Sequence, residues 1–142
     1  MPKDAEPRTI SESHKLQGTR ESMDFVQRSI LDTMESFGYK EDDLFAVRIA
    51  IEEAIANAVL HGHQGMLERI VDIQWSICEN KVAMVVVDSG RGYDVKAVPD
   101  PTADENLTLP SGRGLAMITA FMSKVTILDN GRRIEMTRER RD

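Results

Sequence analysis

The sequence predicts an α+β two-layer sandwich: a mostly antiparallel sheet covered on one face by helices. Three observations carry this. Apolar residues recur at helical spacing across most of residues 19–62. From about residue 70 the pattern changes to the period-two alternation of strands. The strand-like segments then come in two pairs, each joined by a short turn, which makes hairpins.

In chain order, RTISESHKL reads as a short edge strand. Met23, Val26, Ile30, Leu31, Met34 and Phe37 form the stripe of a first helix, which Gly38 stops. Phe25 falls off that stripe, at its edge or against another element. A second helix begins near Glu41, with Leu44, Val47, Ile51, Ala54, Ile55, Ala58 and Val59 buried and Gly62 as its stop. In RIVDIQWSI, Val71, Ile73, Trp75 and Ile77 alternate with Asp72, Gln74 and Ser76. Glu79-Asn80 turns the chain into KVAMVVVD, whose continuous apolar run suits a central strand. A short helix is expected around 113–122. KVTIL and RRIEMTR flank Asp129-Asn130-Gly131 as a second hairpin.

Residues 90–114 break this regularity. Pro99, Pro101 and Pro110 lie inside the segment with the acidic stretch DPTADEN, and glycines mark both ends. A connection this long without periodicity reads as a lid or binding loop, with surface disorder as the alternative.

Bulk composition limits the remaining possibilities. A chain of 142 residues, 41% hydrophobic, suits one compact domain, drawn here at 8–138 with flexible termini at 1–7 and 139–142. Its 24 acidic residues against 18 basic ones give a net charge of -6, which argues against a direct nucleic-acid surface. Cys78 is the only cysteine, so an intramolecular disulfide or cysteine-rich metal site is excluded. No apolar run reaches the roughly 18 residues of a membrane span, and MPKDAEPRTI lacks a signal-peptide core. A cytoplasmic protein is the expectation.

Three clusters carry candidate chemistry. In EEAIANAVLHG, Glu53, Asn57 and His61 stand at successive i,i+4 steps on one helical face. Asn57 can offer its carbonyl oxygen to a hard divalent cation, and Glu53 can take a proton from a hydroxyl. Alone, this spacing also fits an exposed or locally hydrogen-bonded pair, and His61 can simply finish the helix. Glu52 lies about 100° around the helix from Glu53, toward solvent or the rim. The second cluster, DSGRG, follows a strand directly. Gly90 and Gly92 let a flat ligand approach the backbone, and Asp88 can accept from an exocyclic amine. The same residues also make an ordinary turn. They are neither a dinucleotide fingerprint nor a Walker A loop. The third cluster is SGRGLAMITAFM. Gly112 and Gly114 would expose amides at a helix start suited to phosphate, with Arg113 adding charge or facing outward. Its plain alternative is a helix capped by Ser111.

Order turns these weak motifs into a strong set. Here the sequence resembles the Bergerat-fold ATP-binding superfamily, with EEAIANAVLHG as its N box, VVVDSGRG as its first glycine box and LPSGRGLAMI as its second. Its size makes it most similar to the small anti-sigma factor serine kinases of bacterial partner-switching systems. That resemblance implies ATP and Mg2+ as cofactors. It makes Glu53 the general base, Asn57 the magnesium ligand and Asp88 the reader of the adenine amine, with Gly90 and Gly92 in the first glycine box. Gly112, Arg113 and Gly114 would shape the triphosphate end.

The implied partners are a second copy in a homodimer, an anti-sigma factor antagonist domain carrying the phosphoacceptor serine or threonine, and a sigma factor. One departure bears on the lid. Some members carry arginine immediately before the second box's SG, where this chain has Pro110. An ATP-gated binding module without kinase activity, or a regulator of a non-sigma target, would use the same nucleotide residues.

Overall fold

The computed structural model describes residues 8–17, 20–63, 70–88 and 111–141; within these, the side chains of 17, 59–63, 70, 111–113 and 130 are outside the description. The elements run β1 (Thr9–Gln17), α1 (Arg20–Ser36), α2 (Glu41–His63), β2 (Ile70–Cys78), β3 (Lys81–Asp88), α3 (Ser111–Phe121), β4 (Lys124–Leu128) and β5 (Arg133–Glu139). The strands form one antiparallel sheet in the order β1-β2-β3-β5-β4. This is the predicted two-layer α+β arrangement, with RTISESHKL at an edge and KVAMVVVD in the centre.

Alternation decides which face the helices cover. On β2, Val71, Ile73, Trp75 and Ile77 are buried. Their register sets Trp75 opposite Met84 and Ile73 opposite Val86, and the next ladder sets Met84 opposite Met136 and Val86 opposite Ile134. Each large aliphatic side chain buried here contributes about 1.5–3 kcal/mol. Two charged residues interrupt the inner face of β3 and β5: Asp88 at the end of β3, and Arg138 near the end of β5.

Val26, Ile30 and Met34 are the buried stripe of α1. Gly38, at φ 82°, ends that helix as predicted; its N–H donates to Glu35 O at 2.9 Å and that of Tyr39 to Met34 O at 3.1 Å. A left-handed glycine permits this closure of the last turn. Phe25 is exposed, with its ring edge-on to His14 across 5.9 Å. Buried Trp75 donates from Nε1 to His14 Nε2 at 2.9 Å, which fastens edge strand β1 to its neighbour.

Two boundaries differ from the sequence reading, while the predicted hairpin around 129–131 forms between β4 and β5. The second helix passes through Gly62 to His63, because glycine permits a helix end without requiring one. The 129–131 turn is a single 3-10 turn, with Asp129 at φ 54° and Gly131 at φ 87°. Finally, residues 139–142 were expected to be a flexible end, yet β5 continues to Glu139 and Arg140 is engaged. Its guanidinium donates to the carbonyls of Phe37, Gly38 and Glu79 at 3.1, 2.7 and 3.0 Å. Carbonyls at a helix end lack intrahelical donors, and this arginine supplies them.

Candidate functional site

Helices α2 and α3 pack against each other antiparallel. At one end, Phe45 meets Phe121 edge-on, with ring centroids 5.6 Å apart. At the other, Gly114 faces Glu53 and Asn57. A Cβ on Gly114 would lie 3.0 Å from Oε1 of Glu53 and 3.4 Å from each side-chain heteroatom of Asn57. Two of the three sequence clusters therefore meet: the acid–amide face of α2 and the glycine-rich start of α3.

Asn57 is 5% exposed, and neither Nδ2 nor Oδ1 has a hydrogen-bond partner. Leaving a buried amide unsatisfied costs about 1–3 kcal/mol. Its retained capacity points to a ligand: one oxygen to coordinate or accept, one NH2 to donate. Glu53 is half-buried beside it, one turn earlier. Glu52 turns to the rim, where its carboxylate lies 3.8 Å from Arg20 Nη1.

Beside Asn57 a narrow cleft of about 10 Å³, no larger than one water, lies between the layers. Its walls are Ala58, Val86, Leu115, Ile127, Gly131, Arg132 and Ile134. Asp88 lies two residues beyond Val86 on the same face of β3 and is 5% exposed. The Asp88 backbone N–H donates to Arg132 O at 2.8 Å, tying the strand end to the last hairpin. The cleft wall thus carries the Asn57 amide, with Glu53 one turn away on α2 and Asp88 two residues along β3 from Val86.

Glu53, Asn57 and Gly114 come together, and Asp88 shares a face with a wall of the same cleft. Gly112 and Arg113 fall within the first turn of α3, but the Arg113 side chain lies outside the described residues, as does that of His61. Gly90, Gly92 and the expected lid lie outside them entirely. Sequence reasoning missed Ile127 and Arg132 as cleft walls. They reach the site only because β5 pairs with β3 as well as β4.

No group of three or more His, Cys, Asp or Glu side chains able to hold a metal occurs among the described residues. A hard cation here would take one oxygen from Asn57 and the rest from ligand phosphates and water, the usual arrangement for magnesium. Also among the described residues, no helix is long and apolar enough to cross a membrane.

Comparison with known proteins gives the same picture. Residues 16–138 match the sequence family described as histidine kinase-like ATPase domain. An anti-sigma F factor of Clostridium botulinum (strain Alaska E43 / Type E3) is 27% identical over 103 residues, 69% of this chain and 72% of the relative. The serine-protein kinase RsbW of Staphylococcus aureus (strain JH9) is 26% identical over 132 residues, 87% of this chain and 83% of the relative. Among solved structures, the RsbU and RsbW domains of Rv1364c from Mycobacterium tuberculosis superpose with a TM-score of 0.63 at 20% identity. That match covers 94% of this chain and 33% of the solved one, and it shows the shared fold.

Proposed function

The chain belongs to the histidine kinase-like ATPase domain family, and from that premise we propose that it is an ATP- and magnesium-dependent serine/threonine protein kinase acting as an anti-sigma factor. The observation that carries the reading is the buried, unpartnered amide of Asn57 beside Glu53 and under Gly114. The names of its relatives, anti-sigma F factor and serine-protein kinase RsbW, support the same assignment.

Asp88, at the buried end of β3, receives the exocyclic amine of adenine. The amides at the start of α3 face the phosphates, where the helix N-terminus favours negative charge. Asn57 Oδ1 would help hold magnesium, which when bound would supply positive charge to offset that building on the phosphates. Glu53 then acts on the acceptor. Its carboxylate takes the proton of a serine or threonine hydroxyl as that oxygen bonds to the γ-phosphorus and the bond to the ADP oxygen breaks. The Asn57 amide neither gains nor loses a proton near neutral pH, so the acid and the amide have separate roles.

The acceptor is an anti-sigma factor antagonist domain, and a sigma factor is the alternative partner of a kinase homodimer in the cytoplasm. Incubation with labelled ATP, magnesium and a set of antagonist domains tests the kinase reading. Transfer of label to a serine or threonine of one of them is expected. Tight nucleotide binding with no transfer to any would instead indicate a nucleotide-gated binding module.

A further inference from the structure

The reactions above leave one buried pair unused. Arg138, on the inner face of β5, donates from Nε to Asp43 Oδ1 at 2.8 Å, and the two side chains are 4% and 0% exposed. Arg138 Nη1 also donates to the Phe121 carbonyl, in the last residue of α3, at 2.6 Å. The second Asp43 oxygen accepts the Arg141 backbone N–H at 3.2 Å. One guanidinium therefore joins the start of α2, the end of α3 and the sheet. Its planar fork permits this only when all three elements hold one relative position.

That position matters at the far end of the helices. Ten residues of α2, about 15 Å at 1.5 Å per residue, separate Asp43 from Glu53. Because α3 runs antiparallel to α2, fixing Phe121 fixes which residue of α3 meets Glu53 and Asn57. That residue is Gly114, where even a Cβ would press on Glu53 at 3.0 Å. A slip of one residue would turn the helix by about 100° and bring a side chain into that space. Two further contacts, Ser123 N to Thr137 O at 2.7 Å and Glu139 N to Ser123 Oγ at 2.8 Å, hold the segment after α3 to β5. Arg138 carries the constraint across to α2 as well, beside the Phe45–Phe121 ring contact and the Arg141 N–H on Asp43.

We propose that the Asp43–Arg138 pair is a positioning device for the nucleotide site, setting the axial register of α3 on α2 so that Gly114 meets Glu53 and Asn57. The proposal rests on the ATP reading of that site. Neither residue touches nucleotide; both act through α3.

The test uses the double variant Asp43→Leu/Arg138→Met. Replacing a buried ion pair with apolar side chains of similar size leaves no uncompensated charge, so the protein folds, which circular dichroism verifies. Two quantities are then compared with the parent: the Kd for magnesium-ATP, and amide hydrogen exchange at residues 115–118. The expected result is a Kd at least tenfold weaker and exchange at 115–118 at least tenfold faster, with β2 and β3 exchanging at parental rates. Parental exchange at 115–118 overturns the register argument, whatever the Kd. Faster exchange with a parental Kd overturns the link to nucleotide. Should the parent itself bind no magnesium-ATP, the site reading has failed, and exchange alone decides whether the pair sets the register of α3.

Discussion

Gly114 faces Glu53 so closely that an added Cβ would stand 3.0 Å from Oε1, and the carboxylate would have to give way to admit it. Two helices separated by the whole length of β2 and β3 thus share one boundary at the proposed phosphate end. Whatever widens that boundary changes the site without touching the core.

Gly114→Ala is therefore expected to separate binding from stability. Alanine favours a helix by about 1 kcal/mol over glycine, so thermal unfolding should shift little or upward. Magnesium-ATP affinity should fall about tenfold as Glu53 and Asn57 are displaced, equivalent to about 1.4 kcal/mol. Calorimetric titration beside a thermal melt checks both. Parental affinity would mean that the close approach has no bearing on nucleotide.

Asn57→Leu should show the same balance still more clearly. Removing an unsatisfied buried amide without opening a large cavity should raise the free energy of unfolding in urea by about 1 kcal/mol. The same change should abolish the magnesium dependence of ATP binding. A variant whose binding still responds to magnesium as the parent's does would remove Asn57 from the metal site.

Glu53→Gln keeps the shape and hydrogen-bonding reach of the side chain but cannot take a proton. ATP binding should stay within about threefold of the parent. Phosphate transfer to an antagonist domain should slow by 10²–10⁴, the usual contribution of a general base. Single-turnover assays with labelled ATP distinguish the two effects. Transfer at the parental rate would end the assignment of Glu53 as base.

Asp88→Ala tests the base-reading end of the site. The substitution removes the acceptor that the adenine amine needs, so ATP affinity should drop at least tenfold while GTP affinity changes less. Competition between the two nucleotides reads the ratio directly. An unchanged preference for ATP would show that Asp88 does not read the base.

Local periodicity made much of this legible in advance. The buried residues of α1 and α2, the alternation of β2 and the i,i+4 spacing of Glu53 and Asn57 all arise within a few residues of one another. Asp88 was legible because a charged residue closes an otherwise apolar strand. Ile127 and Arg132 were not, since their place beside Asn57 depends on strand order, which no local pattern encodes. Asp43 looked like one more acid in the first turn of α2, among Glu41 and Asp42. Its burial depends on an arginine 95 residues away. Gly114 could be placed at a helix start from sequence, but the neighbours that require a glycine there belong to another helix.

The strand order also bears on how the protein is made. β5 is the last of the described strands in chain order, yet it lies inside the sheet, between β3 and β4. Until it emerges, β3 keeps an open edge, β4 has no strand to pair with, and Asp43 waits in the chain without its arginine. A nascent chain halted after Leu128 would hold Glu53, Asn57, Asp88 and Gly114, but not the strand that joins their supports. Pairings between distant parts of a chain form late and slowly. Kinase and unfinished chain thus differ by a few residues of translation, which leaves the incomplete sheet exposed to aggregation or proteolysis until the final strand arrives.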